Sequence, residues 1–141
     1  MTEPLVVGWK ERVDFPEWGL RSVKAKIDTG ARTSALNVCE YELIDGAVRF
    51  RPVVFRKRSP VCGKVVEVPI TRMVVVRNSG GVDELRPEVE TLIQVGSFVK
   101  RVRLTLTNRS RMKFALILGR TTLAQSFVVD VTQQYVQRRP R

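Results

Sequence analysis

Apolar and polar residues alternate with a period of two through much of this chain. Val23, Ala25 and Ile27 alternate with Lys24 and Lys26, the pattern of a strand with one wet face. The run KVVEVPITRMVVVRN (64–78) is rich in β-branched residues, and Asn78-Ser79-Gly80-Gly81 supplies a turn able to take positive φ. A partner run, EVETLIQV (88–95), follows Arg86-Pro87, so a hairpin is predicted here. Gly96-Ser97 turns the chain into FVKRVRLTLTN, where Val99, Val102, Leu104 and Leu106 read as another strand. FALILG and FVVDV are short apolar strands, with RTTLAQS between them as the one helical turn. Pro60, Cys62 and Gly63 predict a mid-chain loop. The sum is about eight or nine short strands with little helix, which argues for a β-barrel or sandwich over a doubly wound fold.

Length and composition narrow the class. The chain has 141 residues, enough for one domain with its own core. No apolar run approaches bilayer length, and Met1 to Arg12 lacks the features of a signal peptide, so a cytoplasmic protein with no membrane partner is expected. Cys39 and Cys62 are too few for a disulfide framework and read as reduced thiols in or near the core. With no histidine and no finger-like ligand spacing, neither a metal site nor a cofactor is expected. The 25 Lys and Arg against 14 Asp and Glu give a net charge of +11, which attracts polyanions. The basic residues cluster at Arg49–Arg58, at Lys100–Arg103 and at Arg109–Lys113. A basic tail over 133–141 is expected to fray.

One stretch carries candidate chemistry. AKIDTGARTSAL (25–36) ends an apolar strand in Asp28, Thr29 and Gly30, then Ala31 and Arg32. Asp and Gly favour turns, so the triplet alone is as consistent with a strand-to-loop corner as with a mounted carboxylate. A second stretch changes that balance: Ile117-Leu118-Gly119-Arg120, leading into the predicted helix and a last strand.

Together these motifs resemble the retropepsin-like aspartic proteases. In that family an apolar strand ends in a catalytic Asp-Thr-Gly-Ala, and an apolar-apolar-Gly strand followed by Arg and a short helix packs beneath it. The Met73–Pro87 hairpin stands where the family places its flap. More closely, GWKERVDFPEWG, AKIDTGARTSAL, RPEVET, LTNRSRM and ILGR resemble a bacterial family named ATP-dependent zinc proteases, grouped with the same fold. The likeness covers residues 6 to 132. It implies a single all-β domain over 1–141, a closed β-barrel of one lobe per chain with one short helix after Gly119. ATP is not supported, because no Walker-type phosphate loop is present, and zinc is not supported, because the family often carries a histidine after Ser-Ala-Leu where this chain has Asn37.

The resemblance also implies roles. Carboxylate-driven peptide hydrolysis needs two carboxyls sharing one proton across a water, and close carboxylates cannot both ionise. Asp45-Gly46 and Asp130-Val131-Thr132 do not repeat the triplet, so the second carboxyl is expected from Asp28 of a symmetry-related copy in a homodimer. Thr29 would brace the two loops, and Gly30 would let the backbones approach. Ala31, Arg32, Ser79, Gly80, Gly81 and Arg120 are the expected substrate-binding residues. Ala31 cannot hydrogen-bond the carboxylate as a serine would, so activity is expected at mildly acidic to neutral pH.

Retroviral members carry an acid where this chain has Arg32. Either Glu84, Glu88 or Glu90 compensates, or the cleft favours an acidic substrate that arginine grips. Members of the bacterial family are often associated with ligases that add glutamates to protein tails, which suits a charge of +11. The leading expectation is an aspartic endopeptidase on a peptide or protein substrate, with acidic or glutamate-rich tails as the favoured class. The alternative is a non-catalytic basic barrel that binds acidic protein segments or nucleic acid, although basic-aromatic interleaving of the single-strand-binding kind is lacking. Trp9 and Trp18 are expected to pack at the N-terminal edge.

Overall fold

The computed structural model describes residues 3–78, 80–108 and 113–138. Two hairpins bring the N-terminal half together. Strands β2 (Lys10–Phe15) and β3 (Leu20–Ile27) join through a 3-10 turn at Pro16–Trp18, closed by Gly19 at φ 63°. Trp18 stacks on Phe15 at 5.0 Å between ring centroids and meets Phe50 edge-on at 5.2 Å. Strands β4 (Ser34–Ile44) and β5 (Ala47–Arg56) turn at Asp45 and Gly46, both at positive φ. That is the backbone a two-residue hairpin loop requires. β3 follows its alternation, with Val23, Ala25 and Ile27 buried between exposed lysines.

The hairpin expected over 73–87 forms between β8 (Arg72–Arg77) and β9 (Asp83–Val95), in register from Arg72↔Glu88 to Arg77↔Asp83. Its partner residues are 83–88 and not the expected 88–95, which pair with the next strand instead. Asn78 shapes its tip, its Oδ1 accepting from the Gly80 and Val82 amides at 2.9 and 3.1 Å. β9 continues into β10 (Phe98–Thr107), and β11 (Leu116–Leu118), helix α1 (Arg120–Leu123) and β12 (Phe127–Asp130) complete the order. β12 pairs in parallel with the first strand, β1 (Leu5–Gly8).

The pairings run β10–β9–β2–β3–β11–β4, and β4 returns to β10 through Ser34↔Leu104 to Asn37↔Thr107. The expected all-β fold with one short helix is met, and the expected barrel is met as a ring of strands. In this ring β2 meets β9 through the single pair Asp14↔Gln94, and β5, paired to β4, lies outside the circuit. Leu36, Leu104, Leu106, Leu116 and Leu118 fill its interior, all buried. Each such side chain contributes about 2 kcal/mol by leaving water.

Four expectations are corrected. Twelve strands are present among the described residues, more than the alternation predicts. The predicted loop at Pro60–Gly63 is largely strand β6 (Ser59–Cys62), paired with β5, and 64–78 splits into β7 (Val66–Pro69) and β8. Cys39 and Cys62 are not core thiols: they are joined as a disulfide with Cα atoms 5.8 Å apart, Cys62 being exposed. Cys39 falls where the β4–β5 register shifts, between Val38↔Pro52 and Glu40↔Arg51, at a bulge beside the β5–β6 hairpin. Finally, residues 133–138 do not fray. The buried Glu11 carboxylate accepts from the Gly8, Val136 and Gln137 amides at 2.7, 2.9 and 3.1 Å, fastening residues 136–137 beside the end of β1, while 139–141 lie outside the described residues. Trp9 is 37% exposed, whereas Trp18 packs against the core.

Candidate active site

β3 delivers Asp28 to the open end of the ring. Ala25 to Ile27 pair in parallel with Leu116 to Leu118, and the Asp28 amide extends that ladder by donating to the Leu118 carbonyl at 2.9 Å. Asp28 is half-buried, and its Oδ1 accepts from the Gly30 amide at 3.0 Å. The Ala31 amide donates to the Asp28 carbonyl at 3.2 Å, closing a tight turn. A Cβ on Gly30 would stand 3.3 Å from Asp28 Oδ1, crowding the carboxylate itself.

Gly119 explains the second motif. Residues 31–33 cross directly over it, and a Cβ at Gly119 would lie 2.4 Å from the Thr33 carbonyl oxygen and 2.9 Å from that of Ala31. The next two amides take up the loop: Arg120 donates to Ala31 O at 2.9 Å and Thr121 to Arg32 O at 3.0 Å. Behind them Ser34 Oγ and Thr122 Oγ1 share a buried hydrogen bond of 2.6 Å, and Ser34 Oγ accepts from the Gly119 amide at 3.0 Å. Lys100 Nζ holds the far side of α1 through Thr122 O and Ser126 Oγ, both at 2.8 Å. Burial holds the Lys100 ammonium below the usual lysine range.

A cleft of about 1130 Å³ lies between this loop and the β8–β9 hairpin. Asp28, Gly30, Ala31 and Arg32 line it. Thr29, Gly80, Gly81 and Arg120 are not among its lining residues, and Ser79 lies outside the described residues. Arg120 instead supports the loop, its Nη1 donating to the Thr29 carbonyl at 3.1 Å and bracing the Asp28 turn from behind. Four further arginines line the cleft, Arg72, Arg77, Arg86 and Arg103, with Glu88 as the only acid beside Asp28 among its lining residues. In the β8–β9 register Arg72, Val74 and Val76 share a face with Arg86 and Glu88, whereas Arg77 stands at the alternate positions and Arg103 on β10. No residue of 49–69 lines the cleft.

The three candidate compensating acids are engaged elsewhere. Glu84 pairs with Arg86 at 3.2 Å, Glu88 with Arg72 at 3.2 Å and Glu90 with Arg103 at 3.8 Å. Arg32 and Arg120 have no ion-pair partner among the described residues. No group of three or more metal-ligating side chains occurs among the described residues.

Residues 6–140 match the family described as RimB-like, retropepsin-like aspartic endopeptidase RimB. The chain belongs to the RimB-like family. That description names neither ATP nor zinc, and it replaces the zinc-protease name suggested by the motifs. This RimB-like chain is 29% identical over 136 residues to a probable alpha-L-glutamate ligase of Desulfotalea psychrophila, and 31% identical over 142 residues to one of Parasynechococcus marenigrum. Each match takes in 92% of the chain but only 28% of the relative, so the chain spans less than a third of the length of these ligases. A crystal structure of a Legionella pneumophila protein of unknown function superposes with a TM-score of 0.74 at 25% identity, over 95% of this chain and 98% of that one. No helix among the described residues is long and apolar enough to cross a membrane.

Proposed function

We propose that this protein is an aspartic endopeptidase whose active unit is a homodimer, with one Asp28 from each chain. The observation that carries the reading is a carboxylate fixed by its own loop at the floor of a hairpin-covered cleft. Each chain supplies one Asp-Thr-Gly turn, and a two-fold axis beside it would bring two carboxyls together. In the reaction the ionised Asp28 takes a proton from water as the oxygen attacks the peptide carbonyl carbon. The protonated Asp28 of the other chain gives its proton to the carbonyl oxygen. The tetrahedral diol then collapses: the C–N bond breaks, the amine leaves with a proton, and a new carboxyl remains.

The favoured substrate is an acidic, glutamate-rich protein tail, and the proposed setting is the cytoplasm. Arg32 is uncompensated at the cleft, and the net charge of +11 draws acidic chains toward the protein. The glutamate ligases that share this domain support the same substrate class. The same arginines would also serve a non-catalytic binder of acidic segments, and one substitution separates the two readings. Asp28→Asn should abolish cleavage of a glutamate-rich peptide, followed by mass spectrometry, by about a thousandfold or more while leaving binding intact. A variant that cuts at the wild-type rate removes Asp28 from catalysis. A wild type that binds such peptides and never cuts them establishes the binding module.

A further inference from the structure

The hairpin over the cleft carries two arginine–glutamate pairs that differ in completeness. Arg72 meets Glu88 through two donors, Nε and Nη2, at 3.2 and 3.4 Å to the two carboxylate oxygens. That is the two-pronged geometry a guanidinium and a carboxylate prefer. Arg86 meets Glu84 through Nη2 at 3.2 Å, and its buried Nε has no hydrogen-bond partner. Glu84 is divided: its other oxygen accepts from the Thr107 hydroxyl at 3.0 Å. Arg86 is nonetheless only 4% exposed and lines the cleft, as does Thr107.

A guanidinium stays charged at any working pH and offers five donors. Burying it with an unspent donor is unfavourable unless something completes it. The charged residues that line the cleft are mainly cationic, five arginines against Asp28 and Glu88. We infer that Arg86 is the residue that reads a substrate carboxylate, with Glu84 as its internal stand-in when the cleft is empty. An acidic side chain entering beneath the hairpin completes the arginine's fork and releases Glu84 toward Thr107 and solvent, to which Glu84 is already a third exposed. This rests on the reading of the cleft as a peptide-binding site. It adds which group selects the acid and which residue competes with it.

The test measures binding without cleavage, on the full chain carrying Asp28→Asn. Labelled octapeptides of neutral sequence bear a single Glu, or Gln, at each position in turn, and fluorescence anisotropy gives the Glu-over-Gln affinity ratio. At one position the ratio should reach about tenfold or more, and Arg86→Met should bring it close to one. Glu84→Gln should raise affinity for the Glu peptide at that same position, because the competing carboxylate is gone. If Arg86 serves only to hold Glu84, both substitutions lower the unfolding midpoint and leave the ratio unchanged, which overturns the inference. Equal weakening of Glu and Gln peptides by Arg86→Met means that a backbone carbonyl is recognised, and overturns it as well. Should Arg86→Met fail to fold, Glu84→Gln decides alone, since an unchanged ratio there is equally fatal. The peptidase reading is judged separately by cleavage with Asp28 intact, so either reading can fail without the other.

Discussion

Gly119 is where a single residue's chemistry limits the whole site. Its φ of −96° and ψ of −178° are open to any amino acid, so conformational freedom does not require a glycine there. Space does. A Cβ would stand 2.4 Å from one backbone carbonyl oxygen of the Asp28 loop and 2.9 Å from another, and neither belongs to a flexible side-chain end. Gly119→Ala should therefore push residues 31–33 outward and cost about 2–4 kcal/mol, read as a lowered midpoint in urea unfolding with an unchanged slope. At this scale much of the site was legible. Asp-Thr-Gly-Ala and Ile-Leu-Gly-Arg were visible as motifs, and Asp28, Gly30, Ala31 and Arg32 do line one cleft. The role of Arg120 was not legible: only the folded loop brings the Thr29 carbonyl within 3.1 Å of its guanidinium. Nor was Arg86, because burial and an unpartnered donor are properties of packing and not of a string of letters.

Among the elements, the sequence was clearest where alternation and turn chemistry agreed. The β8–β9 hairpin forms over the expected 73–87, where the β-branched run of β8 leads into Asn78 and Gly81, although its second arm, 83–88, carries no β-branched residue. β4 and β5 went unread for two physical reasons. The first half of β4, from Ser34 to Val38, is buried throughout, so it shows no period of two. In β5 the alternation was present, Val48 and Phe50 buried between Arg49 and Arg51, but its arginines stand out first as a charge cluster. The disulfide belongs to this region, tying the bulge of β4 to β6 across a separation of 23 residues. Closing a loop of that length restricts the unfolded chain by about 3 kcal/mol. The double variant Cys39→Ser, Cys62→Ser should lose roughly that much in urea unfolding. Wild-type protein under reductant should fall to the same level, whereas oxidised and reduced wild type of equal stability would mean that the bridge does not constrain folding. Because no residue of 49–69 lines the cleft, peptide binding should survive the loss of the bridge.

The whole molecule sets how many chains a reaction needs. The ring of strands presents one Asp28 per chain, beside a cleft lined by arginines, and the proposed mechanism takes its second proton-handling carboxyl from another copy. That requirement has a consequence that a self-sufficient chain would not share. Mixing wild type with an equal amount of Asp28→Asn, and allowing the subunits to exchange, distributes active chains at random between pure and mixed dimers. Only a quarter of the dimers then carry two Asp28 residues, and since the total number of dimers has doubled, cleavage should settle at about half the rate of the wild type alone. Dilution should act in the same direction, lowering activity per chain as dimers dissociate. Both are read with one peptide-cleavage assay, and sedimentation of the same samples gives the fraction dimeric. A rate indifferent to the added variant and proportional to concentration throughout would mean that one chain completes the site, and Glu88, the other acid lining the cleft, would become the first candidate for the second carboxyl.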